Sequence, residues 1–463
     1  MTRSNFSRMG LLRKLTAKIA LATSIVATVC PFTSYGQVSD PTKCGLDLVN
    51  QQIKTTNPNF DLQLATTISE LHDKVEQSSL TNAAAKPTSG VPYTIHVVFH
   101  FVLDSAQVIQ LGRDTGIQHR ITSQLLQLNT DWNARNPDSI KIPVPFKPLY
   151  SNMQVNFVLA TKDPNGNPTP GYEIKYTNKP SFDLQTGTTG TQLAFSDAKY
   201  TSAGGTDAWD PQKYYNVWVL NMTPAGVLGF STPPPHPPYD FFPAAEQGSC
   251  IFYGAFGRKT YPSQYFTYVQ ATMGRTLTHE SGHFFNLFHT WGTDTTCNDD
   301  DGISDTPLQG GPTHNDSPTF PVLDKCSPSF PGIMFMNFMD YAIDTAQCLF
   351  TKGQTAASHI ELEPGGLRYS LTQSATSITN INTRIIATIY PNPVQNICII
   401  ELTGNDVAIL SVNDIVGRTV QVIAVNGVQR LNVDFSKLSK GTYFIKMLNK
   451  TGQLLRVDRI IKE

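Results

Sequence analysis

The chain has 463 residues, of which 40% are hydrophobic and 15% are charged. This length exceeds one ordinary domain and the apolar content is sufficient for a buried core, so we expect two or three folded units. The formal net charge of -1 gives no electrostatic basis for binding nucleic acid or an anionic membrane surface, and we expect neither as a partner.

The first segment, residues 1–36, has the features of a secretory signal peptide. A basic start precedes an apolar stretch at about residues 19–32, and Ser34 and Gly36 place small residues where a signal peptidase reads them. The apolar stretch is short for a membrane span, and no later segment is long and apolar enough to be one. A lipoprotein anchor at Cys30 is the alternative.

Residues 37–90 are polar and end in small residues and a proline, which is typical of a pro-segment followed by a linker. Residues 91–376 then alternate strand-like and helical patterns with long loops, which indicates an α+β domain. Periodicity and β-branched or aromatic runs place the elements. We predict strands over 93–102, 155–159, 215–220 and 250–253, and helices over 117–132 and about 272–288.

Residues 385–463 differ in character from the preceding domain. Short β-rich runs at 399–402, 407–412 and 443–447 alternate with glycine-containing turns. This pattern predicts a small C-terminal β-sandwich.

The last predicted helix of the α+β domain contains His279, Glu280 and His283. Histidines four residues apart lie on one face of a helix, where two imidazoles can share a tetrahedral zinc ion. Glu280 cannot reach that ion at ligand distance, but it can reach a water bound there, so we predict that Glu280 is the general base. His289 is too far along for the same face, and the chain must turn for it to become the third ligand.

Asn286 occupies the position of that turn. Families with this long motif place glycine there, because the residue adopts a left-handed conformation. Asparagine is the next most tolerant residue in that conformation. We therefore expect Asn286 to have a structural role and His289 to complete the zinc site. The alternative is that His289 is an ordinary surface or core histidine.

Residues 337–341, Asn-Phe-Met-Asp-Tyr, resemble the methionine turn of the metzincin peptidases. That turn implies that Met339 lies beneath the zinc-binding histidines and that Tyr341 stabilises the oxyanion. The alternative is an ordinary apolar core segment. Taken with residues 279–292 and the acidic loop that follows, the pattern resembles the pappalysin family of metzincins. The family implies a twisted sheet, an active-site helix and a C-terminal subdomain with the third histidine and the methionine turn.

The acidic loop at residues 298–307 places four carboxylates within seven residues. Unpaired carboxylates repel one another, and a hard cation such as calcium removes the repulsion. Similar family members hold structural calcium near this loop, and the resemblance implies Asp301, Ser304 and Thr306 as its ligands. A solvated acidic turn is the alternative.

Seven cysteines are present, and export permits disulfide bonds among the six outside the signal peptide. Cys297 and Cys326 flank the acidic loop, and we expect them to form a disulfide bond. Cys250 is the nearest candidate partner for Cys348. Cys398 belongs to the C-terminal module and is expected to be free.

Cys44 is the one cysteine in the proposed pro-segment. A thiolate there can occupy the fourth zinc position and exclude the catalytic water. This resembles the cysteine latch of some relatives and implies a zymogen that is opened by cleavage between about residues 79 and 92. An incidental or disulfide-bonded cysteine is the alternative.

Several relatives also cut before basic residues by means of an acidic residue after the methionine turn. Asp344 is the candidate here, although this stretch is longer than theirs.

The end of the chain resembles the C-terminal sorting domain of the Bacteroidetes type IX secretion system, on residues 390–394, 414–418, 434–443 and 460–462. A plain binding module is the alternative. The resemblance implies passage through that secretion machinery, to the medium or the surface of a Gram-negative Bacteroidetes-type cell.

These features predict a secreted zinc endopeptidase, with zinc-activated water as nucleophile and with protein or peptide substrates. The alternative of another class is a non-catalytic zinc-containing surface adhesin. Such a structural zinc site would usually be closed by a fourth protein ligand.

Overall fold

The computed structural model describes residues 42–80, 93–292, 296–298, 300–314, 317–373, 386–403, 407–414, 419–425, 427–448 and 454–463. The predicted signal peptide lies outside this described part, and so does the predicted activation region at about residues 79–92 from residue 81 onward. No helix among the described residues has the length and apolar content needed to span a membrane.

A seven-stranded mixed sheet and seven helices form the larger α+β part of the described chain. The four strands predicted there are present, with bounds shifted by at most one residue. In chain order the elements are β1 (Thr42–Cys44), α1 (Leu46–Thr56), α2 (Phe60–Leu80), β2 (Tyr93–Leu103), α3 (Ser105–Gln110), α4 (Arg113–Trp132), β3 (Val155–Leu159), β4 (Tyr172–Tyr176), β5 (Tyr215–Leu220), β6 (Val227–Ser231), β7 (Ser249–Phe252), α5 (Arg275–Phe284), α6 (Lys352–Leu362) and α7 (Tyr369–Gln373).

The strand order of this sheet is β1-β6-β7-β5-β2-β3, and β4 also pairs with β2. Every pair is parallel except β6 with β7. All six residues of β5 are buried, as expected for a central parallel strand covered on both faces. β1 pairs with β6 in the register Thr42 to Val227 and Cys44 to Gly229. Three residues of the predicted pro-segment therefore cover an edge that β6 would otherwise leave free.

The predicted pro-segment is more ordered than its polar composition suggested. It forms β1 and the helices α1 and α2. The buried residues of α2 recur at helical spacing, so one face of the helix packs on the main core. They are Phe60, Leu64, Ile68, Leu71 and Val75.

Arg275 fixes the first turn of α5 inside the protein. Its guanidinium is fully buried and pairs with Asp131 of α4 at 3.0 Å and with Asp138 at 2.6 Å. It also donates to the carbonyl oxygens of Asp344, at 2.6 Å, and Gln347, at 2.5 Å. The planar guanidinium thus links α5 both to α4 and to the segment after residue 341, where the methionine turn was predicted.

The C-terminal strands form two sheets that share one apolar core, in agreement with the predicted β-sandwich. The strands are β8 (Ile386–Tyr390), β9 (Ile397–Thr403), β10 (Ile409–Asp414), β11 (Thr419–Ala424), β12 (Arg430–Asp434), β13 (Gly441–Leu448) and β14 (Leu454–Lys462). The sheet orders are β11-β10-β13-β14 and β12-β9-β8. Ile400 and Val433 from one sheet join Leu410 and Ile445 from the other in that core.

Cys297 and Cys326 form a disulfide bond beside the acidic loop. Cys250 and Cys348 are both free and buried, so the pairing considered for them is wrong. The reason is their location, because Cys250 lies on β7 in the main core while Cys348 belongs to a separate apolar cluster with Ile333 and Phe335. Cys398 is free and buried in the C-terminal core.

Candidate metal centre

Helix α5 ends where the metal-binding motif needs the chain to turn. It stops at Phe284, four residues before the predicted end, because Asn286 has the left-handed φ of 70°. The N–H of Leu287 donates to the carbonyl of Gly282 at 2.9 Å, and that of Asn286 to the carbonyl of His283 at 3.1 Å. This pair of bonds is a Schellman motif, which ends a helix and redirects the chain.

The redirected chain brings His289 to the two helical histidines. The Nε2 atom of His283 lies 3.1 Å from Nε2 of His279 and 3.0 Å from Nε2 of His289. Burial and the neighbouring imidazoles lower the pKa of His279 well below its usual value, and burial does the same for His283. Both rings are therefore neutral at neutral pH, as a metal ligand must be.

The other ring nitrogens are held by hydrogen bonds that fix each tautomer. Nδ1 of His279 donates to the carbonyl of Phe338 at 2.7 Å, and Nδ1 of His283 to the carbonyl of Leu287 at 2.7 Å. Nδ1 of His289 lies 3.3 Å from a carboxylate oxygen of Asp47 in α1. Such partners leave Nε2 free to bind a metal and set the ring orientation.

The predicted methionine turn lies directly beneath the histidines. A Cβ atom at Gly282 would lie 2.3 Å from Sδ of Met339, so this helix position has no room for a side chain. Asn337 accepts from the N–H of Met339 at 2.9 Å, and the buried Asp340 accepts from Thr313 at 2.8 Å. The turn therefore both supports α5 and supplies the Phe338 carbonyl that orients His279.

Glu280 is buried beside the histidines, and its carboxylate faces Gly229 of strand β6, which lies between β1 and β7. Neither of its carboxylate oxygens has a hydrogen-bond partner among the described residues. Burial raises the pKa of Glu280 well above its usual value. A Cβ atom at Gly229 of β6 would lie 2.5 Å from Oε1 of Glu280, so the glycine makes room for the carboxylate. A buried carboxylate without a protein partner is suited to exchanging a proton with a bound molecule.

Cys44 completes a cluster of four side chains of the types that can bind a metal ion. Within the described part of the chain, its Sγ and one nitrogen each of His279, His283 and His289 all lie within 4.8 Å of one another. Three imidazoles and one thiolate form a ligand set that suits tetrahedral zinc. The residues present therefore fit the ion that the motif predicts.

Tyr341 faces the same cluster. Its hydroxyl donates to the carbonyl of Cys44 at 3.3 Å and to the carboxylate of Asp47 at 3.4 Å. Burial raises the pKa of Tyr341 well above its usual value, so the phenol stays protonated and remains a hydrogen-bond donor. In this state of the chain, Tyr341 is engaged by the two residues of the predicted pro-segment.

The side chain of Lys43 is buried next to the cluster formed by Cys44 and the three histidines. Its ammonium group donates to the carbonyl of Ala342 at 3.2 Å, to the carboxylate of Asp344 at 3.4 Å and to the side-chain oxygen of Gln347. Burial lowers the pKa of Lys43, and the Asp344 charge opposes that shift. These groups thus surround a basic side chain one residue away from Cys44.

The acidic loop is partly buried rather than fully solvated. Asp301 is only 1% exposed, and its Oδ1 accepts from Thr306 at 2.6 Å and from the N–H of Ile303 at 3.1 Å. Oδ2 of Asp301 has no hydrogen-bond partner among the described residues. Burial raises the pKa of this carboxyl well above its usual value. Ser304 is exposed, and Asp305 caps α6 by accepting from Gly353 at 2.9 Å.

Comparisons with known proteins agree with this arrangement. The family model described as pregnancy-associated plasma protein-A matches residues 200–362. Mature mirolysin from Tannerella forsythia, solved in complex with a cleaved peptide, is 35% identical with a TM-score of 0.54, covering 62% of this chain and 98% of that chain. The chain belongs to the pappalysin family of metallopeptidases. A promirolysin variant from the same organism is 32% identical with a TM-score of 0.59, covering 73% of this chain and 99% of that chain.

Fungal relatives of the pappalysin domain match over shorter stretches. Extracellular metalloproteases from Colletotrichum graminicola and Pyricularia oryzae are 42% and 31% identical, over 18% and 31% of this chain and 28% and 46% of their own lengths. The chain thus spans less than half the length of these curated relatives.

Residues 388–463 match the model for a secretion system C-terminal sorting domain. This domain marks the pappalysin chain as a secreted protein of the type IX pathway in Bacteroidetes.

Three residues near the pappalysin site were not identified from the sequence as part of it. Lys43 and Asp47 flank Cys44, and both contact residues about 240 to 300 positions away, which no local pattern indicates. Gly229 did carry a signal, because a glycine inside a β-rich run often marks a close approach by another group.

Proposed function

We propose that the protein is a secreted zinc endopeptidase that is made as a latent zymogen. The observation that carries this proposal is the convergence of three buried histidine nitrogens beside Glu280, a buried carboxylate without a hydrogen-bond partner in the part of the chain that the structure describes. His279, His283 and His289 would hold zinc, which when bound supplies a Lewis acid that acidifies water and polarises a carbonyl. The substrates would be protein or peptide chains.

Glu280 performs the proton transfers of the proposed reaction. It takes a proton from the attacking water and later delivers it to the amine that leaves. Neither carboxylate oxygen is held by a hydrogen bond from the described residues, so both are available for these steps. Tyr341 is protonated, lies against the histidine rings and can donate to the oxyanion once the pro-segment has left. No covalent acyl-enzyme is required.

A non-catalytic zinc-containing adhesin is the second candidate function. Cys44 favours it, because a site with four protein ligands is usual for structural zinc. The two functions differ in whether the predicted pro-segment, with Cys44, is removed by cleavage between β1 and β2. The protein without that segment is called the trimmed form. Metal analysis of trimmed and untrimmed protein, each with and without His283→Ala, measures the bound zinc. One zinc in both wild-type forms, with cleavage of a quenched peptide only by the trimmed form, supports the peptidase. Absence of cleavage by trimmed, zinc-loaded protein would favour the adhesin.

Latency is supported by how residues 42–47 occupy the site. β1 runs along the edge of β6, Cys44 reaches the histidine nitrogens, and Asp47 engages His289 and Tyr341. A substrate strand would need the same edge and the same position opposite the metal. The similarity to promirolysin covers 73% of the chain against 62% for mature mirolysin, which accords with a shared pro-segment.

We also propose that the enzyme cuts before lysine or arginine. Lys43 in its pocket serves as a template for the substrate's basic side chain. Asp344→Asn is expected to lower kcat/KM for peptides with lysine after the scissile bond by about 100-fold, because a buried ion pair loses one charge. Peptides with norleucine at that position provide the matched substrate control. An equal loss for both substrates would contradict the pocket assignment.

Calcium is proposed as a structural ion at Asp301, Ser304 and Thr306. The support is the buried, unpartnered oxygen of Asp301 and its raised pKa, which a cation would relieve. Saturating calcium is expected to raise the Tm of the metal-free protein by about 5 °C. Asp301→Asn should abolish that increase, and magnesium should not reproduce it. A calcium-induced rise of the same size in Asp301→Asn would place the ion elsewhere.

The C-terminal sorting domain would engage the type IX secretion machinery as the partner of the exported chain. Deleting residues 385–463 is expected to keep the protein inside the producing cell, as judged by immunoblotting of cells and medium. Normal export of the deleted form would contradict this partnership.

A further inference from the structure

Asn286 makes two side-chain hydrogen bonds that its backbone role does not require. Its Nδ2 donates to Oε1 of Glu361 in α6 at 2.8 Å, and its Oδ1 accepts from Nε2 of His236 at 2.9 Å. The carboxylate of Glu361 can only accept, so this contact fixes which way the amide of Asn286 points. Asn286 and Glu361 are each 5% exposed, so the bond between them is shielded from water.

Glu361 is itself held in place by the segment that follows α6. Its Oε2 accepts from the N–H of Leu367 at 3.1 Å. Arg368, one residue further on, donates to the carbonyl of Phe284 at 3.2 Å and stacks over the Phe284 ring at 3.9 Å. Segment 361–368 therefore contacts the end of α5 both at its last helical carbonyl and at the turn that follows.

Asn286 lies next to the segment that positions His283 and His289. A small displacement of Asn286 would therefore shift two of the three histidine nitrogens proposed to bind zinc. The next residue, Leu287, provides the carbonyl that orients His283. His289 follows three residues after Asn286, and among the described residues its Nδ1 faces the carboxylate of Asp47 from the predicted pro-segment. A metal site requires its ligands to be held within about 0.5 Å of the productive geometry.

We propose that Glu361 is a positioning residue for zinc, acting through the side chain of Asn286. This inference rests on the zinc function proposed above and deepens it. Glycine would satisfy the φ of 70° at this position without strain, but it would leave the turn unanchored. Asparagine accepts some strain and in return ties the turn to α6 through a buried, charge-assisted hydrogen bond.

The test measures zinc affinity of the full chain by competition with a chromogenic chelator. Asn286→Gly and Glu361→Ala are each expected to weaken zinc binding about 10- to 100-fold. Glu361→Gln, which keeps an acceptor for Asn286, should restore most of that loss. The double variant Asn286→Gly with Glu361→Ala should have the same zinc affinity as the single variant with the lower affinity. The losses should not add, because the two residues act through one bond. Glu363→Gln, a neighbouring carboxylate without this contact, is the matched control and should bind zinc as the wild type does.

A second readout, the rise in Tm that zinc causes, distinguishes positioning of the zinc ligands from a purely structural role of Asn286 and Glu361. Positioning predicts a smaller zinc-induced rise in Asn286→Gly, whereas a structural role lowers the Tm with and without zinc equally. Equal zinc affinities in the wild type, Asn286→Gly and Glu361→Ala would overturn the inference alone. Failure of the wild-type chain to bind zinc would overturn the proposed function as well. If Glu361→Ala does not fold, Asn286→Gly decides the question, because glycine adopts the required turn freely.

Discussion

Glu280→Gln in the trimmed enzyme is expected to lower kcat for peptide cleavage by about 10²- to 10⁴-fold, while zinc remains bound. Glutamine has the size of glutamate but cannot accept a proton from water. The carboxylate is buried, has no hydrogen-bond partner of good geometry among the described residues, and has a pKa raised by burial well above the usual value. Replacing it with a neutral amide of the same size therefore removes the base and keeps the packing against Gly229.

Steady-state kinetics on a quenched peptide, together with zinc content and Tm, checks this expectation. Since burial disfavours the charged form of Glu280, the variant should unfold at the same or a higher temperature than the wild type. Loss of zinc or a large fall in Tm would show that Glu280 has a structural role. A kcat within tenfold of the wild type would assign the base to another group.

Cys44→Ala is expected to raise the proteolytic activity of the untrimmed chain at least tenfold over its wild-type counterpart. The thiolate would otherwise occupy the fourth position on zinc, and removing it opens that position to water. Because β1 still lies along β6 and Asp47 still contacts His289, we expect activity to remain below that of the trimmed enzyme.

Cys250→Ala is the matched control for this experiment, because Cys250 is also a free, buried thiol but lies on β7 and is not one of the four side chains in the histidine cluster. It should leave latency unchanged. If Cys44→Ala stays as inactive as the wild type while the trimmed enzyme cleaves, occupation of the cleft by residues 42–47, rather than the thiol, causes latency.

The metal site was the part of the molecule most readily predicted from the sequence. His279 and His283 lie on one helix face because helical periodicity requires it, and the position of His289 required only one turn. The length of α5 was overestimated because apolar residues continue through Phe288. A left-handed backbone at Asn286, not the hydrophobic pattern, ends the helix.

The proposed substrate pocket and the proposed latch depend on contacts between distant parts of the chain. Lys43 and Asp344 are separated by 301 positions, and Glu361 lies 75 positions after Asn286. Neither pairing has a periodic signature. The helices of the predicted pro-segment are a different case, because the apolar spacing from Phe60 to Val75 is visible in the sequence. The polar residues between these positions concealed it.

The most direct measurement of the central claim is digestion of a casein-like protein by the trimmed enzyme, with products identified by mass spectrometry. The zinc site of His279, His283 and His289 predicts internal cleavage that a zinc chelator abolishes and that added zinc restores. Cleavage should fall before lysine and arginine if Lys43 marks the substrate pocket. A trimmed, folded protein with one zinc per chain that cuts nothing would contradict the account, and so would cleavage that is unaffected by complete removal of zinc.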